Sequence, residues 1–184
     1  MYGHGPGAYS GGVRRILLTG MSGTGKSTLI GALSARGYKA VDADTDQWSE
    51  WAPLTDPIDA FDPTTPPDSP WRDKDWVWRE DRIQQLLSVE DADALFLGGT
   101  AANQGKFHAQ FDHIVLLSAP ADILIERLTS RENNRYGKQP HELARVFEQL
   151  CTVEPLLRRA ASLEVDTSAP LERVIEIVLD LVRS

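Results

Sequence analysis

The sequence predicts an α/β fold, with a five-stranded parallel sheet between helical layers in a three-layer αβα arrangement. One observation is that short apolar runs alternate along the chain with segments of helical period, as expected for parallel strands joined by helices. Another is the segment GMSGTGKS at residues 20–27, which fills the phosphate-loop pattern GxxxxGK[ST] between an apolar run and a helix-compatible run. This order of strand, loop and helix is typical of P-loop proteins.

The elements follow from the apolar patterns in chain order. We predict strands at residues 14–19, 38–42, 94–98, 113–117 and 163–165, and helices at 26–36, 76–88, 121–131, 140–161 and 171–183. Pro120 and Pro170 stand where helix starts are expected. We expect one domain over residues 13–184, preceded by a flexible glycine-rich segment at 1–12.

Composition limits the classes of partner. The chain has 184 residues, of which 41% are hydrophobic and 25% charged, and its formal net charge is −8. A nucleic-acid polymer would require a basic stripe, and none is visible. The single cysteine, Cys151, offers no disulfide framework, the four histidines lack metal-ligand spacing, and no apolar run approaches the length of a membrane span. We expect a cytoplasmic monomer or homodimer without a nucleic-acid or membrane partner.

The phosphate loop predicts a site for ATP and Mg²⁺. Its glycines allow several backbone N–H groups to face one anion at the start of the following helix. Lys26 is expected to reach the β- and γ-phosphates, and the hydroxyl of Ser27 to hold Mg²⁺. We assign nucleotide binding to the whole loop and the next residue, namely Gly20, Met21, Ser22, Gly23, Thr24, Gly25, Lys26, Ser27 and Thr28.

Three carboxylates, Asp42, Asp44 and Asp46, follow the second predicted strand. The carboxyl ends of parallel strands share the sheet edge at which the phosphate loop lies. In phosphoryl transfer, one carboxylate there can help to position Mg²⁺ while another accepts the proton of the attacking hydroxyl. The alternative is a solvated acidic turn that caps the next helix.

The phosphate loop followed by Asp42-x-Asp44 resembles the small P-loop kinases of the shikimate kinase and gluconokinase group, within the nucleoside-monophosphate-kinase-like fold. The resemblance implies a metal-side role for Asp42 and contact between Asp44 and the acceptor hydroxyl, with Asp46 as a second candidate. Residues 95–100 resemble the glycine turn that lines the acceptor pocket of that family. This implies acceptor contacts from Gly98, Gly99 and Thr100, although Thr100 also suits a helix N-cap.

The same resemblance implies a lid at residues 131–139, where Arg131 and Arg135 would close over the transferring phosphates, and Arg127 and Lys138 are weaker candidates. Segments similar to residues 166–170 border the adenine in that family, so Thr167 and Pro170 are candidates for contact with the base. The alternative is a plain turn before the last helix.

Residues 48–78 hold all five tryptophans, six of the eleven prolines and six aspartates. We predict an ordered substrate-side flap in which Trp48 contacts the acceptor; a structural tryptophan cluster and a dimer interface are the alternatives. Arg79 and Arg82 follow the flap as acceptor candidates. Because shikimate kinases have a shorter and more basic segment here, a neutral or cationic alcohol suits this chain better than shikimate.

The leading hypothesis is an ATP-dependent phosphotransferase that moves the γ-phosphoryl group to a hydroxyl of a small molecule. Catalysis would depend on Lys26, Asp42, Asp44, Arg131 and Arg135. A nucleoside or nucleoside-monophosphate kinase is the first alternative, with Arg79 and Arg82 on the acceptor. The second is a nucleotide-binding regulatory protein with little turnover, whose tryptophan-rich segment binds a partner.

Overall fold

A computed structural model describes residues 12–53, 74–132 and 136–183. In chain order its elements are β1 (Arg14–Thr19), α1 (Lys26–Ala35), β2 (Lys39–Asp42), β3 (Ser49–Pro53), β4 (Lys74–Trp78), α2 (Glu80–Ser88), β5 (Ala94–Gly98), a 3-10 helix (Gln104–Gln110), β6 (His113–Ser118), α3 (Ala121–Ser130), α4 (Pro140–Thr152), α5 (Glu154–Ala160), β7 (Leu163–Asp166) and α6 (Leu171–Arg183). Among the described helices, none has both the length and the apolarity needed to cross a membrane.

The main sheet has five strands in the order β2-β5-β1-β6-β7, and every neighbouring pair is parallel. This confirms the predicted sheet. Because β1 lies between β5 and β6, the phosphate loop opens at the middle of the sheet's carboxyl edge. The segment that follows β2 reaches the same edge at one side, and the end of β7 reaches it at the other.

Alternation along the strands divides the core between the two sheet faces. Leu17 in β1 faces α2, and the residues around it are Leu95, Leu97, Ile83, Leu87 and Phe107. Its neighbours Ile16 and Leu18 face α1 and α6, in a cluster that includes Phe96, Leu29, Leu33, Val174 and Val178. The phosphate loop is thus anchored to a strand that is buried on both faces.

Two predicted helix boundaries are wrong. Trp76 and Trp78 lie in β4, which pairs with β3 as an antiparallel ribbon, and the predicted helix begins only at Glu80. The predicted helix at 140–161 is divided at Val153, since Pro155 in the first turn of α5 has no N–H with which to continue the helical ladder. The 3-10 helix at Gln104–Gln110 was not predicted from the sequence.

Several predictions fall outside the described residues. They concern residues 1–11 of the N-terminal segment, residues 54–73 of the flap, and residues 133–135 of the lid, which include Arg135.

Candidate active site

A cleft of about 1130 Å³ lies at the carboxyl edge of the sheet, above the phosphate loop. All nine loop residues predicted to bind nucleotide, 20–28, line this cleft. The other walls come from the segment after β2, the β3–β4 ribbon, the turn after β5, helices α3 to α5, and the segment after β7.

The phosphate loop takes its shape from glycines. Gly23 and Gly25 have φ angles of 87° and 91°, in the left-handed region that favours glycine. Gly20 is more constrained, because a Cβ there would lie 2.3 Å from the carbonyl oxygen of Leu117 in the neighbouring strand β6. A side chain at Gly20 would therefore separate the loop from the sheet.

Lys26 is buried at the base of the cleft, where 9% of it is exposed. Its Nζ donates hydrogen bonds to the carbonyl oxygens of Gly20, at 2.6 Å, and Met21, at 3.3 Å. The same Nζ lies 3.4 Å from Oδ2 of Asp44. These contacts compensate the buried ammonium, and they bring the phosphate loop and the end of β2 together.

Asp44 is held by two hydrogen bonds, one to its carboxylate and one from its backbone N–H. Its Oδ1 accepts a hydrogen bond of 3.0 Å from the N–H of Thr100, and its own N–H donates a bond of 3.0 Å to Oδ1 of Asp42. Burial raises the pKa of the Asp44 carboxyl above its ordinary value, an effect that the nearby Lys26 ammonium only partly opposes. A fixed carboxylate with a raised pKa is well suited to accept a proton.

Thr100 connects the end of β5 to the phosphate loop. Its Oγ1 donates to the carbonyl oxygen of Gly20 at 2.8 Å and accepts from the N–H of Gly20 at 3.1 Å. Thr100 lines the cleft, whereas Gly98 and Gly99 lie beneath it and provide room for their neighbours. An added Cβ on Gly99 would lie 3.2 Å from Oδ1 of Asp44, so this glycine allows the carboxylate its position.

The opposite end of the cleft carries arginines. Arg127 in α3 donates to the carbonyl oxygens of Gly23, at 3.3 Å, and Thr167, at 2.6 Å. Arg131 donates to the carbonyl oxygen of Tyr136 at 2.9 Å, and burial lowers the pKa of its guanidinium. Arg127, Arg131 and Thr167 all line the cleft, but Pro170 does not.

The β3–β4 ribbon presents two tryptophans to the cleft. Trp51 and Trp76 form a cross-strand pair with ring centroids 5.0 Å apart and an interplanar angle of 58°. Both line the cleft together with Asp46 and Asp75. This part of the flap therefore lies beside the phosphate loop.

Four predicted side chains lie away from the cleft wall. Trp48 packs against the core, and Arg79 forms an ion pair of 2.7 Å with Glu50. Arg82 donates to the carbonyl oxygen of Gln47 at 2.5 Å. Asp42 is not among the residues that line the cleft, and its Oδ1 accepts the hydrogen bond from the N–H of Asp44.

Some residues that line the cleft were not among the predicted site residues, including Trp51, Trp76, His108 and Arg145. The two tryptophans belonged to a recognised cluster, but only the strand register shows which members face the cleft. His108 was given no role, although its Nε2 is buried without a hydrogen-bond partner among the described residues. The cleft-facing side of α4, where Arg145 lies, has no sequence signal.

The residues present fit Mg²⁺ that is bound together with nucleotide phosphates. Ser27 is exposed at the start of α1 and lines the cleft, as does Asp44. In the described part of the chain, no group of three or more His, Cys, Asp or Glu side chains is arranged to hold a metal without such help. Mg²⁺ commonly binds through one or two protein groups plus substrate phosphates, and this site matches that pattern.

Comparison with known proteins agrees with this architecture. A family model described as "AAA domain" matches residues 16–148, which include β1, the phosphate loop, Asp44 and α3. The chain belongs to the AAA domain family. No curated protein matches this AAA domain chain in sequence.

Solved structures show the same fold. This AAA domain protein is 21% identical to a gluconokinase from Sinorhizobium meliloti, with a TM-score of 0.57 and coverage of 92% of this chain and 91% of that one. A shikimate kinase from Acinetobacter baumannii, in complex with shikimate, is 20% identical, with a TM-score of 0.56 and coverage of 91% and 94%. A shikimate kinase from Bacteroides thetaiotaomicron is 18% identical, with a TM-score of 0.60 and coverage of 93% of this chain and 99% of that one. The fold is that of the shikimate kinase and gluconokinase group of small P-loop proteins.

Proposed function

We propose that the protein is an ATP-dependent phosphotransferase that transfers the γ-phosphoryl group to a hydroxyl of a small molecule. The observation that supports it best is the distance of 3.4 Å between Nζ of Lys26 and Oδ2 of Asp44 inside one cleft. A phosphate-binding cation and a desolvated carboxylate thus adjoin the same point. That point is where a transferring phosphoryl group and an attacking hydroxyl would meet.

The chain's own groups would divide the work. The loop N–H groups would hold the phosphates, and Lys26 would exchange its contacts with Gly20 and Met21 for phosphate oxygens. Asp44, fixed by the N–H of Thr100, would orient the hydroxyl and take its proton. Ser27 and the phosphates would hold Mg²⁺, which would neutralise part of the phosphate charge. Arg131, directly after α3, would add positive charge.

The structural neighbours support an alcohol as acceptor, since those reported above are described as gluconokinase and shikimate kinases. An acceptor that carries a phosphate, as in a nucleoside-monophosphate kinase, has less support. Arg79 and Arg82, which would hold such a phosphate, are engaged with Glu50 and Gln47 outside the cleft.

The test is a phosphoryl-transfer screen with Mg-ATP and a panel of sugars, polyols, shikimate, nucleosides, nucleoside monophosphates and amino sugars, read by product mass. The proposal expects one acceptor class to gain a single phosphoryl group, and Lys26→Ala to abolish that gain. A panel without product, together with tight ATP binding by calorimetry, would overturn the proposal in favour of a regulatory nucleotide-binding protein.

A further inference from the structure

Charge is segregated along the cleft. Seven of the described residues that line it are Lys, Arg, Asp or Glu, namely Lys26, Arg127, Arg131, Arg145, Asp44, Asp46 and Asp75. Of the three arginines, Arg127 lies in α3, Arg131 directly follows α3 and Arg145 lies in α4. The three aspartates come from the segment after β2 and from β4. Lys26 lies between the two groups.

The sheet order explains this segregation. β2 is one edge strand and β7 is the other, with the phosphate loop after the central strand β1. Arg127 is tied to Thr167, beyond the end of β7, so the arginine end is the end of β7. The aspartate end is the end of β2. A nucleotide whose phosphates lie in the loop leaves the aspartate end for the acceptor.

The walls of the aspartate end suit a cation. Trp51, which is 36% exposed, and Trp76 present aromatic surface there. The negative face of an indole ring attracts a cation, most strongly where water is excluded. His108 also lines this end, and burial lowers the pKa of its imidazole, which keeps the ring neutral near neutral pH.

An anionic acceptor would meet the opposite conditions. A carboxylate or phosphate at the aspartate end would lie near Asp44, Asp46 and Asp75. Among the described residues that line this end, the only Arg or Lys is Lys26, which the nucleotide requires. Like charges at short distance are strongly unfavourable in a desolvated cleft.

Building on the proposed phosphotransferase activity, we propose that the acceptor is an amino alcohol or amino sugar, in which a protonated amine accompanies the hydroxyl that is phosphorylated. The ammonium group lies between Asp46, Asp75 and the tryptophan pair, and the hydroxyl points to Asp44. The hydroxyl oxygen forms a bond to the γ-phosphorus, and the bond from that phosphorus to the β–γ bridging oxygen breaks. ADP leaves with that electron pair, and the hydroxyl proton passes to Asp44 and then to water.

The decisive experiment compares acceptors that share one skeleton and differ in charge. Glucosamine, glucose and glucuronate form one such set, and an aminocyclitol with its parent cyclitol forms another. The measured quantity is kcat/KM from phosphorylated product. We expect the cationic member of a set to exceed the neutral one by about tenfold or more, which corresponds to about 1.4 kcal/mol, and the anionic one to react least.

Two outcomes separate failure of this inference from failure of the proposed function. If neutral or anionic members react as well as cationic ones, the acceptor charge is wrong, and the phosphotransferase stands. If no set gives product that depends on Lys26, the phosphotransferase fails, and the cationic acceptor fails with it.

Variants locate the charge preference at the cleft. Asp46→Asn and Asp75→Asn each remove one negative charge with little change in shape, and each should reduce the ratio of cationic to neutral kcat/KM by roughly tenfold. Glu50→Gln is the matched control, because Glu50 lies on the same ribbon but pairs with Arg79 outside the cleft. That variant should retain the ratio. If Glu50→Gln reduced the ratio of cationic to neutral kcat/KM as much as Asp46→Asn and Asp75→Asn do, the effect would come from the overall charge of the protein. That result would overturn the assignment of the ammonium site to the cleft.

Discussion

Asp44 lowers the stability of the folded protein at neutral pH, because burial disfavours its ionised form. Its carboxylate is desolvated and lies beside Lys26, and burial still raises its pKa above the ordinary value for an aspartate. A raised pKa in the folded state means that the ionised form is less favourable in the folded protein than in the unfolded chain. The site therefore keeps a carboxylate that lowers stability at neutral pH, as is common for catalytic groups.

The first prediction concerns catalysis by this residue. Asp44→Asn retains the shape and the acceptor oxygen for the N–H of Thr100 but cannot take a proton. Loss of a general base typically costs about 10²–10⁴-fold, so kcat should fall by that order while the Kd for nucleotide changes little. Product formation and calorimetry measure the two quantities. A kcat within threefold of the wild-type value would remove Asp44 from the mechanism.

The second prediction concerns stability and its sign. Because the pKa of Asp44 is raised in the folded state, its contribution to the free energy of unfolding is most favourable below the unfolded value and declines as pH rises through the folded value. Asp44→Asn should thus be at least as stable as wild type at neutral pH, and its advantage should disappear in acid. Denaturant unfolding at several pH values checks this. A variant that is less stable only at neutral pH would contradict it.

Individual residues were predictable where a motif fixed them. Lys26, Ser27 and Asp44 follow from the phosphate loop and from the rule that parallel strands end at one edge. Trp48, Arg79 and Arg82 were chosen from the right segment, but their side chains lie outside the cleft, since register and ion pairing decide which residues face it. Sequence proximity to a site does not determine side-chain direction.

At the scale of elements, the carboxyl end of β5 acts as a spacer between the sheet and the site. Gly98 leaves no room for a Cβ against Ile30 of α1, where the distance would be 2.6 Å. At Gly99 a Cβ would lie 3.1 Å from Cβ of Ala43 and 3.3 Å from Nε1 of the buried Trp78. The two glycines thus let α1 and the segment after β2 approach the strand closely.

The third prediction tests this spacing. Gly99→Ala should displace Asp44 by a few tenths of an ångström, because the new Cβ would lie 3.2 Å from its Oδ1. We expect a loss of roughly tenfold in kcat from the misplaced carboxylate, with a stability cost of about 1 kcal/mol. Gly105→Ala is the matched control, since a Cβ there meets nothing within 4 Å. Equal activity of the two variants would refute the spacer role.

Elements were predictable where their periodicity was undisturbed. The five parallel strands, of which the central β1, β5 and β6 are mostly buried, and α6 have clear apolar patterns, and the structure contains them. The β3–β4 ribbon was not predicted, because alternation over only a few residues beside a helix start does not distinguish strand from helix. The break between α4 and α5 was signalled by Pro155, but an amphipathic pattern across it suggested one helix.

At the scale of the whole molecule, the order of strands determines the chemistry of the cleft. The position of the phosphate loop at the carboxyl edge was predictable from its motif and the α/β pattern. Its place at the middle of that edge depends on the strand order, which was not predicted. The segregation of arginines and aspartates was not predictable either, because it depends on which face of α4 and which side of the ribbon turn toward the cleft. Those orientations arise from tertiary packing between segments distant in sequence.

The last prediction concerns the coupling between nucleotide and fold. A nucleotide in the loop would bind residues attached to β1, α3 and β7 at once, because Arg127 already joins Gly23 to Thr167. The unfolded chain has no such site, so a ligand at a hundredfold excess over its Kd stabilises the fold by about 2.7 kcal/mol, or roughly 5–11 °C in Tm for a domain of this size. Thermal unfolding with increasing Mg-ATP measures this shift.

Lys26→Ala is the control for that shift. It removes the phosphate-binding ammonium, while the Gly20 carbonyl oxygen keeps the hydrogen bond from Thr100 Oγ1. The variant should therefore fold and show a much smaller rise in Tm. If wild type and Lys26→Ala shift equally, the nucleotide binds elsewhere and the cleft loses its assignment. If only the wild type shifts, the phosphate loop couples ligand binding to the stability of the whole sheet.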